Sequence, residues 1–146
     1  MNHAIDFIIG IKHEIKLHIQ YCKKFRISKN EVLKTKEKSA NKNYTNYVLS
    51  VGKKKNLLEL FVALSPCIIG YGEIGYNLSK KKNWKKNKYS SWIKMYSSKE
   101  YQKIAKQNIK YLDYLNSNKT KLNYLVKIFK KASNLETKFW QMSFSK

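Results

Sequence analysis

The chain has 146 residues, enough for one hydrophobic core and too few for two comfortable ones. One proline and five glycines are too little punctuation for an all-β protein, and 42% hydrophobic with 14% aromatic residues excludes a disordered composition. The net charge of +22 would suit nucleic acid, but 30 of the 31 basic residues are lysine rather than the arginine fork that reads bases and phosphates; Lys, Asn, Ile and Tyr, all with A/T-rich codons, fill 69 positions.

Residues 3–26 carry Ile5, Ile8, Ile9, Ile15, Ile19 and Cys22 at mostly three- and four-residue steps, which predicts an amphipathic helix. Ser28 with Glu31 is a capping box opening a short helix. Residues 35–42 read as a polar loop, and from Asn43 a helix carries Tyr44, Tyr47, Val48 and Val51 on one face until the lysines at 53–55. Asn56, three before Glu59, caps the next helix, expected over 57–78 and apolar nearly all round in its first half. Pro66 lies inside it and predicts a kink. A lysine-rich loop over 79–88 leads to a short helix at 89–96. Ser97 with Glu100 forms another capping box for a helix to about Asn116, and a turn at 117–119 precedes a long helix over 121–144. The apolar face of that last helix is Leu125, Ile128, Phe129, Ala132, Leu135, Phe139 and Met142. No strand or internal repeat is found, so the class is an all-α bundle forming one domain over 1–146.

Cys67 and Tyr71 are four apart and share a helical face, with Gly70 leaving space beside the thiol. Glu136 sits on the apolar face of the last helix, where a carboxyl needs a partner or a proton. A thiol, a carboxyl and the phenols of Tyr44 and Tyr71 facing one cavity would suit a small polar aromatic ligand. The plainer readings stay open: a lone cysteine on an apolar face is usually core, a tyrosine stripe at helical spacing usually packs, and Glu136 could be a solvated edge residue. His3, His13 and His18 fall in no metal-ligand spacing, and Glu14–His18 reads as a surface pair. Cys22 and Cys67 form no CxxC, the short apolar start lacks the marks of an export signal, and no 18-residue apolar window is found. The expectation is a cytoplasmic protein with reduced thiols, no membrane span, no metal and no cofactor.

Three ordered blocks carry a resemblance. The stretch YTNYVLSVG…LLELFVALSPCIIGYGEIGYNL, the segment YSSWIKMYSSKEY and the ending NLETKFWQMSF resemble the TenA family. These are the thiaminase II-type aminopyrimidine hydrolases of thiamin salvage. The opening FIIGIKHEIKLHIQYCKKFRISKNEV is consistent with a family helix and its capped turn. The resemblance implies a haem-oxygenase-like helical fold without haem. It implies Cys67 as nucleophile, Glu136 as the carboxyl on the pyrimidine ring, and Tyr44, Tyr71 and Tyr96 as pocket residues. It further implies hydrolysis of aminopyrimidine breakdown products of thiamin, or of thiamin itself, to the hydroxymethyl pyrimidine. Family members carry further N-terminal helices that supply an aspartate and a stacking aromatic, and no position here matches them; Asp6 and Asp113 are the only aspartates. Gln141 stands where an acidic residue is common. The expectation is therefore an N-terminally truncated chain that works as a homo-oligomer or beside a separately encoded N-terminal fragment. An inactive remnant acting only as a binding protein, and a basic nucleic-acid-binding protein, are the alternative functions.

Overall fold

The computed structural model of the chain describes residues 2–117 and 119–144, with side chains described from residue 8 onward except at 9 and 13. Ile5, Ile9, His3, Asp6 and His13, named above, thus have side chains outside the described residues, and residue 118 of the expected turn lies outside them altogether. The chain divides into two compact units, Met1–Glu37 and Lys38–Lys146, and each is taken by itself.

The first unit holds α1 (Asn2–Lys24) and α2 (Lys29–Lys34). Ser28 caps α2 through the predicted box: its hydroxyl accepts from the Glu31 N–H at 3.2 Å, and Glu31 Oε2 accepts from the Ser28 N–H at 2.7 Å. On α1 the isoleucines at 8, 11, 15 and 19 form a stripe that is exposed along its length. Glu14 and His18 approach to 4.0 Å on the exposed side, as the sequence suggested.

The second unit is a helical bundle, with no strand among the described residues. Its helices are α3 (Ser39–Lys54), α4 (Leu57–Ser65), α5 (Tyr71–Ser79), α6 (Ser90–Tyr96), α7 (Lys99–Leu115) and α8 (Leu122–Met142). α3 starts four residues before the expected Asn43, because polar residues 39–42 serve equally well as a solvated first helical turn. α7 is capped by Ser98, whose hydroxyl accepts from the Tyr101 N–H at 3.1 Å; Ser97 instead ends α6, so the Ser97–Glu100 box does not form. Val51, Leu58, Val62, Ala63, Leu125 and Ile128 make the core between α3, α4 and α8. Burial of this apolar surface, at about 25 cal/mol per Å², is the main force that fixes those helices together.

Stretch 57–79 is long and apolar enough, by length and composition, to cross a membrane, contrary to the expectation that no such window exists. One side of it packs within the unit. Leu58, Glu59, Val62, Ala63, Ser65, Pro66, Ile68, Gly72 and Gly75 are all buried within the unit. Gly75 is required there: a Cβ at that position would meet Tyr96 Cβ at 2.5 Å, so α5 and α6 touch backbone to backbone.

The expected kink at Pro66 is instead a π-helical turn, Pro66–Gly70, that joins α4 to α5. Proline lacks the N–H that would continue the α pattern, and its φ of −58° remains helical, so the helix widens rather than breaks. Tyr101 of α7 donates to the Ile68 carbonyl at 3.0 Å, and Gln102 Nε2 donates to the Gly72 and Tyr96 carbonyls at 2.8 Å each. Side chains of α7 therefore complete the backbone pairing around the widened turn.

Glu59 couples the α4 cap to α8. Its Oε2 accepts from the Asn56 N–H at 2.8 Å, and its Oε1 accepts from the Tyr124 hydroxyl at 2.6 Å. Burial pushes this carboxyl up, but the Tyr124 hydroxyl, the Asn56 N–H and nearby Lys55 outweigh it, so the net shift is downward from 4.5. A depressed carboxyl stabilises the fold above its unfolded value and loses that contribution as pH falls through its folded value. Wild-type melting temperature should therefore fall more steeply than that of Glu59→Gln, which keeps the acceptor but not the charge, as pH drops from about 5 to below the folded value, which lies under 4.5. Parallel melting curves across that range would contradict the assignment.

Candidate active site

The widened turn at 66–70 sets the centre of the site. Cys67 lies in it, half-buried, and its thiol donates to the Leu64 carbonyl at 3.0 Å. Tyr71 opens α5 one turn later. Its hydroxyl donates to Glu136 Oε1, across 65 residues of sequence. Glu136 is 6% exposed on α8, so the apolar-face placement read from the sequence corresponds to real burial and not to a solvated edge.

A second donor meets the same oxygen. Trp140, one turn beyond Glu136, sends its indole N–H to Glu136 Oε1 and to the Tyr71 hydroxyl, both at 3.1 Å. Glu136 Oε2 is buried and has no hydrogen-bond partner. The hydroxyl of Tyr44, on α3, is likewise buried without a bond of normal geometry. It is nonetheless in the immediate electrostatic neighbourhood of Cys67 and Glu136. Burial first, and then those two groups, raise the Tyr44 phenol far above its ordinary value of 10.0. The Tyr71 phenol is also raised, by burial first and then by Glu136, with the Trp140 N–H acting in the opposite direction. Both phenols therefore remain protonated, and both remain hydrogen-bond donors.

Aromatic rings enclose this polar group. The Tyr71 ring centre lies 5.7 Å from that of Trp92, 5.3 Å from Tyr96 and 5.7 Å from Trp140. Trp92 and Tyr96 are 4.4 Å apart, and Tyr44 is 6.3 Å from Phe139. Tyr96 is 2% exposed and packs behind Tyr71, against Gly75 and Tyr101. The structure thus gathers Tyr44, Cys67, Tyr71 and Glu136 into one polar group, with Tyr96 as the packing behind it. Trp92 and Trp140 carried no role in the sequence reading. Their signal was present in the blocks around Trp92 and Trp140, but a tryptophan at helical spacing reads first as packing.

Two shallow concavities lie elsewhere. One of about 480 Å³ runs along α7 between Lys99, Lys103, Lys106 and Lys110; the other, about 460 Å³, lies between the start of α3 and the end of α8. Neither is lined by Cys67 or Glu136. What the site can do chemically follows from its atoms: one carboxyl oxygen and one phenol are buried without hydrogen-bond partners, beside a thiol and among aromatic rings.

Comparison with known proteins identifies relatives of the chain. The chain is 35% identical, over 146 residues, to an aminopyrimidine aminohydrolase of Helicobacter pylori, covering 98% of this chain and 66% of that protein. It is 33% identical to an aminopyrimidine aminohydrolase of Halalkalibacterium halodurans, covering 90% of this chain and 60% of the relative. A crystal structure of a TenA family transcription regulator from Silicibacter sp. TM1040 superimposes with a TM-score of 0.85 at 33% identity, over 93% of this chain and 63% of that one. The fold is accordingly all-α and haem-oxygenase-like, and the chain spans less than two thirds of the length of these relatives. With the family pattern matched over residues 1–146, the chain belongs to the TENA/THI-4/PQQC family.

Proposed function

We propose that the chain is a thiamin-salvage hydrolase of the thiaminase II type. Its substrate is an aminopyrimidine with a leaving group on an exocyclic methylene, and its product is the hydroxymethyl pyrimidine. The observation that carries this reading is the pairing of two buried, unpartnered polar atoms, Tyr44 Oη and Glu136 Oε2, with the thiol of Cys67. Buried polar groups left unpaired cost free energy, and a ligand with complementary donors and acceptors relieves that cost. An aminopyrimidine offers ring nitrogens and an amino group in a flat aromatic frame that suits the surrounding rings.

Cys67 acts as nucleophile and Glu136 as acid and base; Tyr44 and Tyr71 bind and orient, with Tyr96 lining the enclosure. The thiol proton passes through the Tyr44 hydroxyl to Glu136, each oxygen receiving one proton as it gives one, so no tyrosinate is needed. Glu136 delivers the proton to a ring nitrogen while the thiolate adds to the electron-poor ring. The ring electrons then expel the leaving group from the methylene, and the leaving group takes the proton from that ring nitrogen, relayed by Glu136. Water adds to the resulting exocyclic methylene, its hydroxyl going to the carbon and its other proton to the ring nitrogen; the carbon–sulfur bond then breaks to restore the aromatic ring, and that proton returns to the sulfur through Glu136 and Tyr44. No cofactor takes part.

Residues 1–146 are read as one domain, working in the reducing cytoplasm as a homo-oligomer or beside a separately encoded N-terminal fragment. The exposed isoleucine stripe of α1 supports association, since a contiguous apolar face of that kind is commonly covered. Purified chain should have a molar mass above that of one copy by light scattering; a stable monomer would argue against self-association. The function itself is tested by hydrolysis of an aminomethyl aminopyrimidine. An inactive chain that still binds the pyrimidine would favour the alternative of a binding remnant.

A further inference from the structure

We propose that Trp140 is a positioning residue of this site: by sharing its indole N–H between Tyr71 and Glu136 Oε1, it fixes the carboxyl so that Oε2 is the oxygen presented to the ligand. The identity of the ligand rests on the function proposed above; the positioning does not, because it is visible in the unliganded geometry.

A glutamate carboxyl rotates about its last torsion in a broad, two-fold well, so its two oxygens exchange easily unless something distinguishes them. Tyr71 alone would not distinguish them, since either oxygen could accept from its hydroxyl. Trp140 does. It lies four residues from Glu136 on α8, on the same face, and its N–H reaches Tyr71 Oη and Glu136 Oε1 at 3.1 Å each. The three groups close a triangle, because Tyr71 also donates to Oε1. Oε1 then holds two donors and Oε2 holds none, although both belong to a buried side chain. The indole is itself held by rings, at 5.7 Å from Tyr71, 6.1 Å from Trp92 and 6.3 Å from Phe139. The residue is 38% exposed, so the hydrogen bonds of its N–H are not a consequence of complete burial.

Two measurements test this. In the ¹⁵N-labelled, ligand-free full chain, the three tryptophans give three indole N–H resonances, and assignment by side-chain correlation identifies that of Trp140. It should be shifted in both Glu136→Gln and Tyr71→Phe; an indole signal unmoved in both overturns the proposal, whatever the chain's activity. The second measurement is a mutant cycle. Trp140→Phe keeps an aromatic ring and removes the N–H. It should lower kcat/KM for the aminopyrimidine by roughly ten- to hundredfold in the wild-type background. In the Glu136→Gln background it should cost less than about twofold, because the group it positions is already lost. Equal losses in both backgrounds would make Trp140 a packing residue only. If the chain does not turn over, the same cycle is read in the affinity for the hydroxymethyl pyrimidine by calorimetry. Loss of turnover with the indole shift intact counts against the proposed function and leaves the positioning role standing.

Discussion

A Cys67→Ser chain is expected to keep its fold and to lose aminopyrimidine hydrolysis by roughly a thousandfold or more, about 4 kcal/mol of barrier. Serine is nearly isosteric, and its hydroxyl can still donate to the Leu64 carbonyl that the thiol uses now. The widened turn at 66–70 is shaped by Pro66 and by bonds from α7, none of which involve the thiol, so the backbone has no reason to move. The chemistry, in contrast, depends on an ionisable nucleophile. A free thiol titrates near 8.5, whereas an alcohol is far harder to deprotonate and Tyr44 is too weakly acidic to be driven into ionised form as a partner. Unchanged melting with retained turnover in the serine variant would show that Cys67 only packs.

The second large effect is expected at Glu136. Glu136→Gln should lower kcat/KM by about a hundredfold to ten-thousandfold, the usual range for a positioned acid–base group. The amide oxygen can still accept from Tyr71 and Trp140, so the local packing is retained. It can no longer pass a proton to a ring nitrogen, and its NH2 replaces an acceptor where Oε2 now stands unpartnered. Affinity for the hydroxymethyl pyrimidine should fall as well, because the amide NH2 stands where the ligand now meets Oε2. A variant with wild-type kcat/KM would mean that Glu136 serves only to tie α5 to α8.

Local features were legible in the sequence where local rules decide them. The boxes at Ser28–Glu31 and Asn56–Glu59 form as read, because a cap needs only residues three apart. Helical phase likewise put Tyr44, Cys67, Tyr71 and Glu136 on inward faces, and the family resemblance added Tyr96. The misses lie where neighbours decide. Ser97 and Ser98 offer near-identical capping patterns, and the close packing of α6 on α5 through Gly75 leaves the first as the end of α6. Pro66 was correctly seen as a disturbance, but whether a helix kinks or widens depends on donors such as Tyr101, 33 residues away. The bonds of Tyr71 to Glu136 and of Tyr124 to Glu59 each span 65 residues, a separation that periodicity does not address. Trp140 escaped for the same reason: its N–H has meaning only once α5 and α8 are side by side.

The central claim is that the thiol, phenol and carboxyl gathered at Cys67, Tyr44 and Glu136 hydrolyse an aminopyrimidine. The most direct test incubates the full chain with an aminomethyl aminopyrimidine in ¹⁸O-water and follows the hydroxymethyl product by mass spectrometry. The account predicts product that carries the heavy oxygen, at a rate proportional to the amount of chain, with none above background from Cys67→Ser. Equal product from the wild-type and serine chains, or none from either, would contradict it.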